Sequence, residues 1–236
     1  MSAPDPNPRR LDADAIIATA GRLELRVADR FAERGISRLA AELVDIAGET
    51  RDRVAGLRRP KRALRAAIAL AAAAVLVALV VTAAQVESGA RFDRVNDLLG
   101  LVENLIQDVV FLGLGAVFLF GIEGRVKRRI ALAGLHELRS FAHVIDMHQL
   151  TKDPEAVLSD GQRTEHSPSR LDDRFRLGRY LEYCSEMLAI TSKLAATYAQ
   201  DATDPVVLAA VRDIQELVGL LSGKIWQKLV IIDSAD

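Results

Sequence analysis

Apolar residues recur at spacings of three and four along both ends of the chain, and this is the period of an amphipathic helix. In the N-terminal part the pattern predicts two amphipathic helices within residues 12–59, the first ending at Gly35 and the second capped by Ser37. Residues 1–11 hold three prolines and no periodicity, so we expect a flexible tail there. The apolar positions of the two helices are Ile16, Ala20, Leu23, Val27 and Phe31, then Ile36, Leu39, Leu43, Ile46, Val54 and Leu57.

The C-terminal half shows the same period more strongly. It predicts a membrane-proximal helix over residues 124–152, a mobile loop over 153–170 and a helical hairpin over 171–234. Asp204 and Pro205 are expected to start the last helix as N-cap and first-turn residue. The three apolar stripes are Val126, Ile130, Ala133, Leu138, Phe141 and Ile145; Leu177, Leu181, Cys184, Leu188, Thr191, Ala195 and Tyr198; and Val207, Val211, Ile214, Val218, Leu221, Ile225, Leu229 and Ile232.

The last two stripes keep heptad spacing, which favours left-handed, coiled-coil-like packing. Heptads do not determine whether the helices pair within one chain or between chains. No segment alternates with period two over any length. The sequence therefore predicts an all-α fold, with a cytoplasmic antiparallel helical bundle at the two ends of the chain.

Two apolar runs in the middle of the chain predict a two-helix transmembrane hairpin. Residues 66–86 are 21 residues without a charge, long enough for a helix to cross a bilayer, and residues 109–122 form a shorter run of 14. The basic flanks are Arg58, Arg59, Lys61, Arg62 and Arg65 before the first run and Arg125, Lys127, Arg128 and Arg129 after the second. Because cytoplasmic flanks are enriched in Lys and Arg, we expect a protein of the bacterial inner membrane with both termini in the cytoplasm. The predicted spans are residues 64–87 and 101–123, joined by an external connector over 88–100.

The second span reaches bilayer length only if it includes four polar residues: Glu103, Asn104, Gln107 and Asp108. At about 100° per residue these side chains fall on one stripe of the helix. One interpretation is an amphipathic helix that lies partly in the outer interface of the bilayer. The other is an intramembrane polar stripe that lines a pore or faces a partner helix.

Composition excludes several classes of function. The net charge is −1 and aromatic residues make up 5% of the chain, so a nucleic-acid-binding surface is not expected. Cys184 is the only cysteine, which excludes an intrachain disulfide and a cysteine metal cage. It occupies a heptad position, so we expect a small buried side chain rather than a nucleophile. The chain has no phosphate-binding loop, Ser-His-Asp order or kinase signature, and the sequence predicts neither a catalytic residue nor a cofactor.

Weak metal candidates lie on the helix that precedes the loop. His143 and Asp146 share a face at a spacing of three residues, and His136 lies seven residues before His143. With Glu182 or Glu186 from another helix they would make a zinc or iron site. The chain has neither a His-Glu-x-x-His motif nor a second Glu-x-x-His repeat, so the pattern favours a polar helix face over a metal site.

The regular sequence signal indicates helix packing and no reaction centre. We therefore expect a non-enzymatic, self-associating scaffold or coupling subunit, whose partners are the lipid bilayer, further copies of the chain and a cytoplasmic protein. Four consecutive alanines from Ala71, with Gly113 and Gly115 in the second span, favour close helix packing and a homo-oligomer. The alternative is an oligomeric pore, since in layout the hairpin resembles the two-helix membrane effector domains of bacterial conflict systems. A third hypothesis is a metal-dependent membrane enzyme built on His143 and Asp146.

Overall fold

The structure, a computed structural model, describes residues 10–32, 34–58, 95–154 and 173–234, and separate positions between 66 and 80. Over residues 95–129 it describes the backbone throughout and the side chains in part. The helices with described bounds are α1 (Ala13–Arg30), α2 (Gly35–Arg58), α3 (Val95–Leu150), α4 (Arg174–Ala199) and α5 (Pro205–Asp233). The described residues contain no strand, which confirms the all-α prediction.

The chain divides into two compact units: Met1–Arg58 with Ile130–Asp236, and Arg59–Arg129. In the first unit α4 is the central helix, because it packs against α1, α2 and α5, while α1 also packs against α2. The C-terminal part of α3 belongs to the same unit and contributes Leu138 to its core. This unit is a helical bundle, as the sequence predicts.

Aspartates cap the N-termini of three helices in the bundle. Asp12, Asp173 and Asp204 each accept a hydrogen bond from the backbone N–H two residues further on, at 2.9, 3.0 and 2.9 Å. Pro205 follows Asp204 at the first helical position, where its missing N–H would have no helical partner in any case. The predicted start of the last helix is confirmed.

The turn between α1 and α2 differs from the prediction. Gly35 is the first residue of α2 rather than a helix stop, and α1 has already ended at Arg30. Ser37 lies in the first turn of α2, where its hydroxyl donates a hydrogen bond to the carbonyl of Phe31 at 2.6 Å. A Cβ at Gly35 would lie 3.0 Å from His148 Nε2, so this glycine permits the close approach of a side chain from α3.

The predicted apolar stripes form most of the core. Every stripe position in α1 and α4 is buried, while Leu57 of α2 and Leu229 of α5 are partly buried. Burying one Leu or Ile contributes about 1.5–3 kcal/mol, so these stripes supply the main stabilising term of the bundle. Because α4 packs against α5, their heptad stripes pair within one chain.

The stripe predicted for the C-terminal part of α3 is wrong at Ala133. Leu138 and Phe141 are buried as expected, but Ala133 is exposed. Ala131 and Leu135 occupy the buried face instead. Both lie two residues from Ala133, which is about 160° around a helix, so they face the opposite side.

In the second unit, α3 begins at Val95, inside the segment 88–100 that the sequence assigns to the connector. The described positions between 66 and 80 are helical, with exposed side chains. A search over the described residues finds no helix with both the length and the apolar character of a membrane span. Most of the predicted span 64–87, the start of the connector, most of the loop 153–170 and most of the N-terminal tail lie outside the described residues.

Candidate functional site

Helix α5 carries large apolar side chains on its outer side as well as on its inner side. Its inner stripe, from Val207 to Ile232, is largely buried against the bundle. On the other side, Leu220 and Trp226 are 70% and 67% exposed, and Val230 is also exposed. The outer side also carries the exposed charged residues Glu216 and Lys224, and large apolar side chains exposed beside them mark a candidate contact surface.

Two glycines leave the backbone of this side open. Gly219 and Gly223 lie one helical turn apart, and a Cβ at either position would meet no described heavy atom within 4 Å. By helical periodicity both lie beside Trp226, so another helix could approach the α5 backbone closely there. We define the α5 outer face as Gly219, Leu220, Gly223, Trp226, Val230 and Ile231.

The four residues of the predicted polar stripe all lie in α3. Gln107 is exposed, whereas the side chains of Glu103, Asn104 and Asp108 lie outside the described residues. The spacing of the stripe along one helix is therefore as the sequence predicts. Its orientation toward a pore, a partner helix or the outer interface stays a prediction.

The weak metal candidates on α3 do not form a ligand group in the described structure. His136 and His143 are exposed. Asp146 accepts a hydrogen bond from Gln149 Nε2 at 2.6 Å, which occupies one of its carboxylate oxygens. Among the described residues, no three His, Cys, Asp or Glu side chains come together to hold a metal ion.

The two glutamates considered as further ligands have other partners. Glu182 forms an ion pair with Arg179 on the same helix, and Glu186 forms one with Arg26 of α1. Cys184, between them in sequence, is fully buried, and burial raises the pKa of its thiol to about 12. The thiol therefore stays protonated at neutral pH and packs as a small apolar side chain, which confirms the prediction of a buried cysteine.

Lys228 makes a polar contact that sequence reasoning misses. Its Nζ donates hydrogen bonds to the Gln149 carbonyl and Oε1, both at 2.8 Å, and to the Lys152 carbonyl at 3.0 Å. A cation in this position satisfies carbonyls at the C-terminus of α3 and complements the helix dipole. Burial lowers the pKa of Lys228, while Asp153 and Asp146 act in the opposite direction. The sequence signal for this contact is only the position of Lys228 beside the apolar stripe of α5.

A cleft of about 270 Å³ lies where the N-terminal segment meets the connection between α4 and α5. Asp201 accepts hydrogen bonds from Arg10 at 2.6 Å and from Arg58 at 2.7 Å. Gln200 exchanges two hydrogen bonds of 3.2 Å with the backbone of Leu11. Partial burial acts against ionisation of Asp201, but the two arginines outweigh it and lower the pKa of the carboxyl. The charged groups here are already paired, so the cleft is a structural junction rather than a ligand site.

Comparison with known proteins gives no match: no protein-family model fits the chain, and no curated protein or solved structure is significantly similar to it. Function is therefore inferred from the geometry of the described residues. Sequence reasoning does not single out the α5 outer face, because the heptad stripe accounts for most of the apolar signal in that helix. The available signal was Leu220 and Trp226, two large apolar residues placed off the stripe.

Proposed function

We propose that this protein is a two-span inner-membrane protein with both termini in the cytoplasm, and that it self-associates to act as a scaffold between the bilayer and cytoplasmic partners. The role is non-enzymatic. The observation that carries the proposal is the exposed α5 outer face, on a helix whose inner face is already buried within the chain. We propose that a second copy of the chain covers it.

Charge supports an antiparallel, two-fold arrangement of two α5 helices. Glu216 and Lys224 lie four residues before and after Leu220, and all three are exposed. A two-fold axis at Leu220 brings Glu216 of one copy opposite Lys224 of the other, whereas a parallel pairing in register brings like charges together. Among the described residues, Glu216 forms an ion pair with Arg212, at 3.8 Å and with both side chains about 70% exposed, so this pair competes only weakly with a contact to a second copy.

The membrane part of the proposal rests on the sequence. The uncharged run 66–86 and the apolar run 109–122 carry their basic residues on the sides away from the connector. In the described structure, Arg125 of the second flank donates a hydrogen bond to the Phe118 carbonyl at 3.2 Å and lies over the Phe118 ring. A long basic side chain that contacts an aromatic residue at the end of an apolar run is in keeping with a membrane boundary.

Self-association is tested on the full chain in a non-ionic detergent, by light scattering corrected for bound detergent. We expect the wild type to have the mass of a dimer or a larger oligomer, and Leu220→Glu to lower the mass while the far-ultraviolet circular dichroism stays unchanged. Leu25→Glu on α1 is the matched control, because Leu25 is 66% exposed and the charge change is the same. A monomeric wild type without a co-purifying partner contradicts the proposal.

A charge swap tests the arrangement of the two helices. Glu216→Lys should weaken the oligomer, because it places two lysines opposite each other. The double variant Glu216→Lys with Lys224→Glu should restore it, because the opposite charges are exchanged between the copies. A double variant that is no better than the single one rules out the antiparallel pairing.

Topology is tested by labelling single cysteines in a Cys184→Ala background. Ala90→Cys should react with a membrane-impermeant maleimide in spheroplasts, and Ala3→Cys only after permeabilisation. The pore alternative is tested in the same preparation, since ion flux through proteoliposomes that falls in Asp108→Leu would favour it.

A further inference from the structure

Three aromatic rings lie together where the α1–α2 turn, the C-terminus of α3 and the first half of α4 meet. The Phe31 ring is edge-on to Tyr180, with centroids 5.5 Å apart, and to Tyr183, with centroids 6.2 Å apart. All three residues are buried. The three rings form an apolar surface against which several cationic side chains pack.

Two of these cations have carboxylate partners within the chain. The guanidinium carbons of Arg26 and Arg179 lie 5.8 and 5.1 Å from the centroid of the Tyr183 ring. Arg26 pairs with Glu186 and Arg179 with Glu182. A guanidinium group over a ring still presents in-plane N–H groups, and here they bind a carboxylate. The chain therefore contains two examples of a carboxylate bound by an arginine that contacts an aromatic ring.

The neighbouring cations each lie over a ring but have no carboxylate partner among the described residues. Arg176 lies over the Phe31 ring at 5.7 Å, Lys152 over the Tyr180 ring at 5.5 Å, and Arg30 over the Phe175 ring at 5.3 Å. We define the cation–aromatic patch as Arg30, Arg34, Lys152 and Arg176 with Phe31 and Phe175. None of its four cations forms an ion pair with an acid in the described part of the chain.

The patch is a concentration of positive charge that forms no ion pair with the described acids of the chain. Burial lowers the pKa of the Lys152 ammonium, and the charge of Arg34 lowers it further. The three arginines are exposed. An anion bound at the patch would favour the charged form of Lys152.

The described acids around the patch do not compensate it. Asp173 accepts a hydrogen bond from the backbone N–H of Phe175 as the N-cap of α4. Burial lowers the pKa of Lys228, and Asp153 partly offsets this effect. Asp29 lies about 160° around α1 from the buried Val27, on the outward side of the helix.

We propose that the cation–aromatic patch binds an acidic segment of a protein partner, whose carboxylates take the role that Glu186 and Glu182 take at the neighbouring arginines. Phe175, which is 63% exposed, provides an apolar contact beside the charges. The two carboxylate pairs within the chain favour a carboxylate-rich peptide over a phosphate ligand. This inference rests on the scaffold proposal in that it names the chemistry of a partner, but peptide binding and oligomer mass are separate measurements and either can fail alone.

The experiment measures binding of a fluorescein-labelled peptide, Glu-Glu-Phe-Glu-Glu-Phe-Glu-Glu, to the full chain in non-ionic detergent by fluorescence anisotropy. The double variant Arg30→Gln with Arg176→Gln should weaken binding by about tenfold, since each exposed charge contact is worth up to about a factor of five. Arg22→Gln with Arg139→Gln is the matched control: it removes two exposed arginines outside the patch and should bind as the wild type does. Binding should also weaken as the salt concentration rises.

Three results would overturn the proposal. The first is equal binding by the wild type and by the Arg30 and Arg176 double variant, when both have the same melting temperature. The second is equal binding of a peptide in which every Glu is replaced by Gln. The third is displacement of the labelled peptide by a competitor that acts at a lower concentration than the unlabelled peptide. Displacement by phosphatidylglycerol in mixed micelles would assign the patch to a lipid surface. Displacement by an oligouridylate of equal charge would assign it to RNA.

Discussion

Gly134 of α3 leaves room for the side chain of Tyr198 from α4, and we expect Gly134→Ala to destabilise the bundle. A Cβ at this position would overlap the Tyr198 hydroxyl, lie 2.8 Å from Tyr198 Cζ and lie 3.3 Å from an Arg53 nitrogen. Tyr198 is only 3% exposed and belongs to the core, so its ring cannot move aside without disturbing neighbouring core residues. The Arg53 guanidinium is also held in place, by an ion pair with Glu137 of α3.

The magnitude follows from two opposing effects. Replacing Gly by Ala inside a helix stabilises it by about 1 kcal/mol. Forcing an extra methyl group into a packed interface costs about 1–3 kcal/mol, and the upper part of this range applies because the nearest atoms belong to a rigid ring. We therefore expect a net loss of about 1–2 kcal/mol in the free energy of unfolding. For a domain of this size that is a fall in melting temperature of about 2–8 °C.

The assay is urea unfolding of the full chain in detergent, followed by far-ultraviolet circular dichroism. Gly48→Ala in α2 is the matched control, since a Cβ at Gly48 meets no described heavy atom within 4 Å and the variant should be stabilised by about 0.5–1 kcal/mol. Tyr198→Phe removes the nearest clashing atom and should recover part of the loss in the double variant with Gly134→Ala. The reasoning is refuted if Gly134→Ala stabilises the protein as much as Gly48→Ala does.

Two further predictions concern ionisable groups of the bundle. Because Arg10 and Arg58 lower the pKa of Asp201 below its ordinary value of 3.8, its stabilising contribution should be present above that value and lost as the pH falls through the lower, folded-state pKa. The difference in melting temperature between the wild type and Asp201→Asn should therefore shrink on acidification, whereas a constant difference would show that the carboxylate charge is irrelevant. The Cys184 thiol, fully buried and with its pKa raised to about 12, should not react with a maleimide at neutral pH in the folded protein and should react completely in denaturant. Rapid labelling of the native protein, measured by mass spectrometry, would contradict the buried position.

The features that could be predicted from the sequence are those encoded within a few residues. The apolar stripes of α1, α4 and α5 need only the helical period, and the Asp204-Pro205 start needs only a cap and a fixed φ. Gly35 and Gly134 are different, because their neighbours, His148 and Tyr198, lie on other helices. Local rules assign a glycine to a helix end, whereas both of these glycines permit a close approach that only the tertiary structure reveals.

The same difference between local and tertiary contacts explains why sequence analysis does not identify the candidate surfaces. The cation–aromatic patch brings together Arg30 of α1, Lys152 after α3 and Arg176 of α4, which are more than a hundred residues apart at the extremes. No spacing rule connects them. The lack of a carboxylate partner for these cations among the described residues is likewise a property of the packed bundle rather than of any one segment.

The packing of α4 against α5 also limits how copies of the chain can associate. Heptad stripes can pair within or between chains, but here the α5 stripe from Val207 to Ile232 is largely buried by its own chain. Association that leaves the bundle intact must therefore use another face, and the α5 outer face is the apolar surface on the same helix. If the copies instead exchanged α5 by domain swapping, the heptad stripe would form the contact between them. In that case Leu220→Glu would leave the mass of the oligomer unchanged. Ile225→Glu would abolish both the oligomer and the fold. Loss of the oligomer in Leu220→Glu, with the helical signal retained, therefore separates docking of intact bundles from domain swapping.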